Sequence, residues 1–461
     1  MAEIFTRKFS EVSGGRFDPE FYIGQTIQIA TYPLKNFVKI KSGKRIPKGR
    51  SYANTTTTYK YLRVDDLDSE ILEIDIDKLK SIDKDIFTLL ERYEIHNDEV
   101  ALSIAGTIGK VFIFHNTTSN RVILTENCVK LQAQGNLLPK FLSLILKTDF
   151  LQSQMKRQYI QTTIPKLAIE RIKELQIPSI PPLSTQQHII DLMDKAYKAK
   201  QEKENKAKEL LDSIDSYLLE ELGIILPLRA NNTLDSRIYT QKISALSGSR
   251  FDANYHQPYY KKFEQALESG KYKTLRLVDI CQFRRGSFPQ PYGNQEWYGG
   301  ANAMPFVQVA DIDDNFELKE KTNQQISQLA QPKSVFVSQN TIILSIQGTI
   351  GRVAITQYDC YVDRTIAIFT ELSNLLNQHF LAYMLSILFK NKADTARGIT
   401  LKTITKEEFR NFKIPLPPLT EQERIAKEIA QRKATAKALK QEAKELLESA
   451  KKEVEHIILG G

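Results

Sequence analysis

The chain has 461 residues and carries 64 lysines and arginines against 55 aspartates and glutamates, a net charge of +9. This length suits two or more domains, and the basic balance favours a polyanionic partner, with nucleic acid first. Three cysteines without a CxxC pair argue against a disulfide framework or a metal site, and we expect no cofactor. No apolar run is long enough to span a membrane, and we expect a cytoplasmic protein.

The first notable segment is a basic loop. Residues 39–67 read KIKSGKRIPKGRSYANTTTTYKYLRVDDL, and they place Lys44, Arg45, Lys48 and Arg50 among glycine and proline. Arginine can bridge O6 and N7 of guanine, whereas asparagine can pair with adenine. We predict that this loop binds DNA. The alternative, an ordinary solvated loop, stays open.

A glycine-rich phrase follows at residues 103–111, SIAGTIGKV, between two apolar runs. Glycine permits the positive φ of a tight turn, so the pattern predicts a hairpin that the fold requires. A functional interpretation adds that the backbone N–H groups of Gly106, Thr107 and Gly109 approach a DNA phosphate, with Lys110 beside them. The phrase lacks the spacing of a nucleotide-binding P-loop.

The first half ends with a polar segment and a long helix. Residues 156–166, KRQYIQTTIPK, offer Gln161, Thr162 and Thr163 as a second set of DNA contacts. The proline pair at 181–182 cannot continue a helix backwards, and an apolar stripe of period three to four then predicts a helix from Ser184, its N-cap, to about residue 222. Gly223 suits the helix end.

The same order of features then returns, so the chain is a tandem duplication. RFDPEFY (16–22) is matched by RFDANYH (250–256), SIAGTIGKV by SIQGTIGRV (345–353), and IPSIPPLSTQQ (177–187) by IPLPPLTEQE (414–423). In the second copy Thr420 and Glu423 suit a capping box at the start of the second long helix. The corresponding candidate DNA contacts are Arg284, Arg285 and Ser287 in the loop, Arg352 in the phrase, and Thr400 and Lys402 before the prolines.

Each copy combines short β-branched strands with a few helices, which predicts an α+β fold. The two long helices carry matching apolar stripes, and an antiparallel pair would bury both. We expect two similar target recognition domains (1–180 and 224–416), separated by this helix pair (181–223 and 417–461) and related by pseudo-twofold symmetry. The alternative is that each helix packs on its own domain.

The tandem layout, the PPL-[ST]-x-Q boundary and the GTIG phrase resemble the specificity subunit of type I restriction–modification systems. The resemblance covers essentially the whole chain. It implies that each recognition domain reads one half of an asymmetric, bipartite double-stranded DNA site and that the helices set the spacer. It also implies docking of two methyltransferase subunits and, in the full complex, of restriction subunits.

The resemblance further implies a chain without catalysis of its own. The sequence agrees, since it has neither the N/D-P-P-Y/F segment of an adenine methyltransferase nor a glycine-rich loop for a methyl donor. The acidic stretch around Asp314 could be mistaken for a nuclease triad, and we expect a solvated turn instead. Two alternatives remain open: the recognition subunit of a fused, type II-like methyltransferase and nuclease, and a two-headed protein scaffold that never reads DNA.

Overall fold

The computed structural model describes residues 30–460 except 68–73, 159–165, 230–232, 247–250, 252, 254, 314 and 397–401. The first RFD segment and Asp314 therefore lie outside the described residues. The described part divides into two compact units. Unit 1 holds the residues up to Glu204 together with those from Lys440 onward, and unit 2 is Asn205–Leu439.

Unit 1 contains nine strands and four complete helices in its described residues. The strands are β1 Thr31–Pro33, β2 Val38–Ser42, β3 Tyr59–Leu62, β4 Lys80–Ser81, β5 Val100–Ser103, β6 Val111–Ile113, β7 Arg121–Leu124, β8 Cys128–Ala133 and β9 Gln176–Pro178. The helices are α1 Lys84–Leu90, α2 Pro139–Lys147, α3 Asp149–Gln158 and α4 Ile169–Lys173, followed by the start of the long helix α5 Leu183–Glu221.

Unit 2 opens with the last part of α5 and two short helices, α6 Leu234–Arg237 and α7 Ile243–Leu246. Its other helices are α8 Pro258–Glu268, α9 Leu277–Ile280, α10 Gln378–Lys392, α11 Lys406–Arg410 and the first part of α12 Leu419–Ile458. Its strands are β10 Thr274–Arg276, β11 Gln282–Arg285, β12 Met304–Val307, β13 Gln324–Ile326, β14 Val335–Val337, β15 Ile342–Ser345, β16 Val353–Ile355, β17 Cys360–Val362, β18 Ile366–Thr370 and β19 Lys413–Pro415.

The sheets of the two units have the same topology. Unit 1 has an antiparallel sheet in the order β2-β8-β5-β6, and unit 2 repeats it as β11-β18-β15-β16. A second sheet, β4-β3-β7, reappears as β13-β12-β17 with β14 added, and its β3–β7 and β12–β17 pairs are both parallel. This correspondence confirms both the duplication and the α+β prediction.

A buried glutamine closes the same junction in each unit, and we call it the glutamine clamp. Gln186 accepts a hydrogen bond from the Leu138 N–H at 2.9 Å and donates to the carbonyl oxygens of Asn136 and Pro181. Gln422 makes the equivalent three bonds, to Asn377 N–H at 2.8 Å and to the carbonyls of Leu375 and Pro417. Both glutamines are 0% exposed. Because a buried amide must satisfy its donors and acceptor, the clamp explains the Q of the PPL-[ST]-x-Q boundary.

The long helices begin one residue before the predicted N-cap residues. α5 starts at Leu183 and α12 at Leu419, and the carbonyl oxygens of Pro182 and Pro418 accept the first helical N–H bonds. The predicted N-cap residues, including Thr420, therefore lie inside the first turn. The glycine at the end of α5 is confirmed, since Gly223 has a φ of 63°.

The two long helices pack antiparallel within each unit. In unit 1 the Lys203 ammonium pairs with the Glu442 carboxylate at 2.6 Å. In unit 2 Arg432 donates to the Ser213 hydroxyl at 2.9 Å. Glu221, eight residues after Ser213 on α5, pairs with Arg424, which lies eight residues before Arg432 on α12. Only antiparallel helices give this register, so the predicted helix pairing is confirmed inside each unit.

Each helix pair contributes to the hydrophobic core of its unit. The unit 1 core includes Met193 and Tyr197 of α5 together with Leu447 and Val454 of α12. The unit 2 core includes Leu218 of α5 together with residues of α12 such as Ile425 and Ile429. Burying one large apolar side chain of this kind stabilises a fold by about 1.5–3 kcal/mol.

The acidic stretch predicted to be a solvated turn is only partly so. Phe316, inside it, packs edge-to-face on Tyr383 at a centroid distance of 5.0 Å. An aromatic side chain loses contact with water by packing in this way, and it draws the turn onto the core.

Candidate nucleic-acid interface

The two predicted DNA-binding loops begin at glycines that press against the neighbouring strand. A Cβ at position 43 would lie 2.0 Å from the carbonyl oxygen of Thr125, and a Cβ at position 286 would lie 2.4 Å from the carbonyl oxygens of Val362 and Asp363. No side chain fits at that distance. Both loops therefore leave equivalent positions of equivalent sheets, in agreement with the correspondence that the sequence predicted for them.

Two of the four predicted cations of the first loop have carboxylate partners. The Arg45 Nε donates to the Glu126 carboxylate at 2.5 Å, although 78% of the arginine side chain is exposed. This hydrogen bond and the charge of Glu126 raise the pKa of Arg45. Arg50 pairs with Asp85. These contacts hold the two guanidinium groups in place at the loop surface.

The other two cations of this loop, Lys44 and Lys48, are exposed and have no ion-pair partner among the described residues. The loop backbone beneath them is fixed, because the Tyr61 hydroxyl donates to the Lys44 carbonyl at 2.8 Å. Tyr52, 38% exposed, packs edge-to-face on Tyr61 from the same loop. Exposed cations beside an exposed ring are suited to a phosphate backbone and its bases.

Arg284 and Arg285, predicted to lie in the second loop, are instead the last residues of strand β11, and only Ser287 lies in the loop after Gly286. All three side chains donate to backbone carbonyl oxygens. The pairs are Arg284 to Phe336 at 3.3 Å, Arg285 to Ile404 at 3.1 Å and Ser287 to Lys333 at 3.2 Å. Arg284 and Arg285 are both exposed. Each guanidinium has five N–H donors, so one carbonyl leaves most of them available for a ligand.

The repeated phrase forms the predicted hairpin turn in both units. In unit 1 the Ser103 hydroxyl donates to the Thr107 carbonyl at 2.6 Å and accepts from the Lys110 N–H at 2.9 Å. In unit 2 the Ser345 hydroxyl accepts from the Arg352 N–H at 2.8 Å. The first serine of the phrase therefore stabilises the turn by hydrogen bonds, and the predicted hairpin is confirmed.

The basic residue of the phrase binds the fold itself. The Lys110 ammonium donates to the carbonyl oxygens of Val64 (3.2 Å) and Leu67 (2.8 Å), and Arg352 donates to those of Val309 (3.3 Å) and Ile312 (3.1 Å). These carbonyls belong to matching 3-10 turns. Lysine and arginine interchange here because either can donate to two carbonyls, a reason that differs from the phosphate contact predicted for them. That contact stays a prediction.

The segment before the proline pair runs beside the repeated phrase in both units. Leu167 N–H donates to the Ile104 carbonyl at 2.8 Å, Ile404 N–H to the Ile346 carbonyl at 3.2 Å and Gly348 N–H to the Lys402 carbonyl at 3.0 Å. In unit 2 the structure thus brings the predicted residue Lys402 next to the phrase, and in unit 1 it brings Lys166, at the described end of the segment, next to Ala105 of the phrase. Gln161, Thr162, Thr163 and Thr400 lie outside the described residues.

Sequence reasoning missed a turn at the base of each loop. Gly43 faces the carbonyl oxygen of Thr125, and the residue after Thr125 is Glu126. Gly286 faces the carbonyl oxygen of Asp363, and the residue after Asp363 is Arg364. Glu126 holds Arg45, whereas exposed Arg364 lies 5.3 Å from the centre of the Tyr292 ring. The two turns therefore present opposite charges. An alignment anchored on Gly43 and Gly286 would have revealed them.

The described residues contain no group of three histidines, cysteines or carboxylates placed to hold a metal ion. In the same part of the chain, no helix has the length and apolar character needed to cross a membrane. The three cysteines are buried thiols, and burial raises the pKa of each to about 12.

Comparison with known proteins gives a consistent result. The sequence model of the type I restriction modification DNA specificity domain matches residues 27–212 and again residues 269–449. A putative type I restriction enzyme MjaX specificity subunit from Methanocaldococcus jannaschii is 22% identical over 404 residues, 84% of each chain. The MjaVIII specificity subunit from the same organism is 22% identical over 175 residues, 38% of each chain.

A solved structure has a similar fold. It describes complex assembly and conformational transition of the type I R-M system, and one of its chains aligns with a TM-score of 0.54 at 17% identity. The alignment covers 93% of this chain and 96% of the other.

Proposed function

The chain belongs to the type I restriction–modification DNA specificity family, and from this premise we propose that each unit reads one half of a bipartite DNA target. We assign the reading to residues 1–180 and 224–416, and the spacing of the half-sites to the helices in 181–223 and 417–461. We also propose that the chain works in the cytoplasm, where its three buried cysteines would stay reduced.

One observation carries this proposal: the two units share a frame and differ at its loops. The sheets, the glutamine clamp and the glycines at the starts of the loops, Gly43 and Gly286, are the same in both units, because both units have the same fold. The loops after Gly43 and Gly286 differ in sequence, and the turns beneath them carry Glu126 in one unit and Arg364 in the other. A protein that reads two unlike half-sites needs this combination, because base contacts specify sequence while backbone contacts only position the protein.

We further propose that the chain performs no chemistry. Two methyltransferase subunits would supply adenine methylation, and restriction subunits would join them in the full complex. The family match supports this division of labour over a fused methyltransferase and nuclease or a protein scaffold.

Replacing Lys44 and Lys48 together with alanine is expected to weaken DNA binding of the assembled complex without changing the bases it prefers. The slope of log K against log salt is negative, and each lost phosphate contact should reduce its magnitude by about 0.9, so the magnitude should fall by about 2. Fluorescence anisotropy with duplexes that contain the methylated motif, across a salt series, measures this slope.

Lys35→Ala is the matched control. Lys35 is also an exposed lysine, paired with Glu174 at 2.6 Å, but it precedes β2 whereas the loop follows it. An equal fall in the magnitude of the slope for both variants would show that the loop has no special part in binding.

A further inference from the structure

Unit 1 contains an open cavity of about 450 Å³ between the repeated phrase, helix α2 and the two long helices. We call it the unit 1 cavity. Its lining includes Gly109, Leu144, Gln152, Met193, Tyr197 and Val454. The lining combines apolar side chains with ten polar or charged ones, and pockets of this size that join an apolar surface to polar groups are typical of sites that take a ligand or an anchoring side chain.

The internal duplication identifies the same place in unit 2. The glutamine clamp accepts the N–H of Leu138 in unit 1 and of Asn377 in unit 2. Six residues after these positions, α2 carries Leu144 and α10 carries Tyr383. Eleven residues after the clamp glutamine itself, α5 carries Tyr197 and α12 carries Lys433. Tyr383 and Lys433 are therefore the counterparts of two residues that line the cavity.

In unit 2 this place is occupied by the chain's own Phe316. Its ring packs edge-to-face on Tyr383 at 5.0 Å, and the Lys433 ammonium lies 4.9 Å from its centre. The next residue, Glu317, has its carboxylate 3.7 Å from the Lys437 ammonium. The occupant is thus an aromatic side chain followed by an acidic one, held by an aromatic ring and by cations.

The backbone of the turn around Phe316 is held in one conformation by hydrogen bonds to Asp313. Phe316 has a φ of 65°, which is uncommon for a bulky residue. The Asp313 carboxylate accepts hydrogen bonds from the N–H groups of Asn315 and Glu317, at 2.8 and 2.9 Å, on either side of it. Such a conformation persists where surrounding contacts fix it, here the aromatic and cationic contacts of the ring.

The rim of the unit 1 cavity is suited to the same kind of occupant. The Glu448 carboxylate is taken up by Lys451 at 2.8 Å, and the Glu455 carboxylate accepts the Phe150 N–H at 2.8 Å. Lys452, which also lines the cavity, is exposed. A carboxylate that entered beside an aromatic ring would find this ammonium at the rim.

We propose that the unit 1 cavity binds an aromatic side chain of the methyltransferase subunit, followed by an acidic residue that pairs with Lys452. The inference rests on the proposed function, which supplies that partner. In unit 2 Phe316 and Glu317 occupy the corresponding place, so no partner side chain enters there. The two units consequently offer a methyltransferase subunit unequal sites.

Photocrosslinking tests the proposal in the complex of the full chain with its methyltransferase subunit. With p-benzoylphenylalanine in place of Tyr197, we expect an adduct in the methyltransferase subunit, at or next to a Phe, Tyr or Trp with an acidic neighbour. With the same group in place of Lys433, the matched control, we expect an adduct to this chain's own residues 313–318.

Adducts of the Tyr197 variant only within this chain, or no adduct although the methyltransferase subunit co-purifies, would overturn the proposal and leave the proposed function intact. Failure of the unmodified chain to bind any methyltransferase subunit would instead contradict the proposed function.

A second variant measures the contribution to affinity. Leu144→Trp places an indole in the unit 1 cavity and should weaken binding of the methyltransferase subunit at that site by at least about tenfold. Circular dichroism should show that the variant remains folded at the temperature of the binding measurement. Unchanged affinity in a folded Leu144→Trp protein would count against the proposal.

Discussion

Replacing Gly286 with alanine is expected to destabilise unit 2 by about 3 kcal/mol or more while unit 1 stays folded. The added Cβ would lie 2.4 Å from the carbonyl oxygens of Val362 and Asp363. Those carbonyls cannot withdraw freely, because Asp363 N–H donates to the Val307 carbonyl at 3.0 Å and Ile366 N–H donates back to Asp363 at 3.0 Å. Hydrogen exchange followed by mass spectrometry, comparing peptides of β15 and β18 with those of β5 and β8, locates the loss of protection.

Gly293→Ala provides the control within the same loop. A Cβ at position 293 has nothing within 4 Å, so this substitution should change the free energy of unfolding by no more than about 0.5 kcal/mol. If Gly286→Ala and Gly293→Ala gave the same exchange pattern, the close approach at the loop base would have no energetic weight.

Deleting residues 201–207 and 438–444 together is expected to shorten the spacer between the half-sites of the methylated motif. The two segments face each other in the antiparallel pair, and deleting both removes Lys203 and Glu442 together, so that neither is left without its ion-pair partner. Seven residues are close to two helical turns, so the apolar stripes stay in phase, and the lost rise of about 10 Å corresponds to at most about three base pairs. The bases of both half-sites should be unchanged.

Deletion of residues 201–207 alone is the companion variant. It shifts α5 relative to α12 and breaks the register of the pairs beyond it, so methylation should be lost. A matched double deletion that methylates the motif with its original spacing would show that these helices do not measure the spacer.

The frame of the molecule was predictable because local patterns specify it. The duplicated GTIG phrase, the proline pairs and the apolar stripes of the long helices depend on backbone geometry and on periodicity within a few residues. For that reason the hairpins, the helix pair within each unit and the two similar α+β halves all appear where the sequence places them.

The chemistry of the loops was less predictable, because it depends on partners distant in sequence. Nothing near Arg45 indicates that Glu126 will hold it, and nothing near Lys110 indicates that two carbonyls of a 3-10 turn will bind its ammonium. Composition also cannot distinguish Phe316 in a solvated turn from Phe316 packed on Tyr383. Such contacts arise from the pairing of strands and helices, which a local pattern does not contain.

Methylome sequencing of cells with this chain, without it, and with residues 1–180 exchanged for those of another family member tests the central claim most directly. We predict a split adenine-methylated motif that disappears without the chain and changes in one half only after the exchange. A motif that persists without the chain, or that changes in both halves after the exchange, would contradict the assignment of one half-site to each unit.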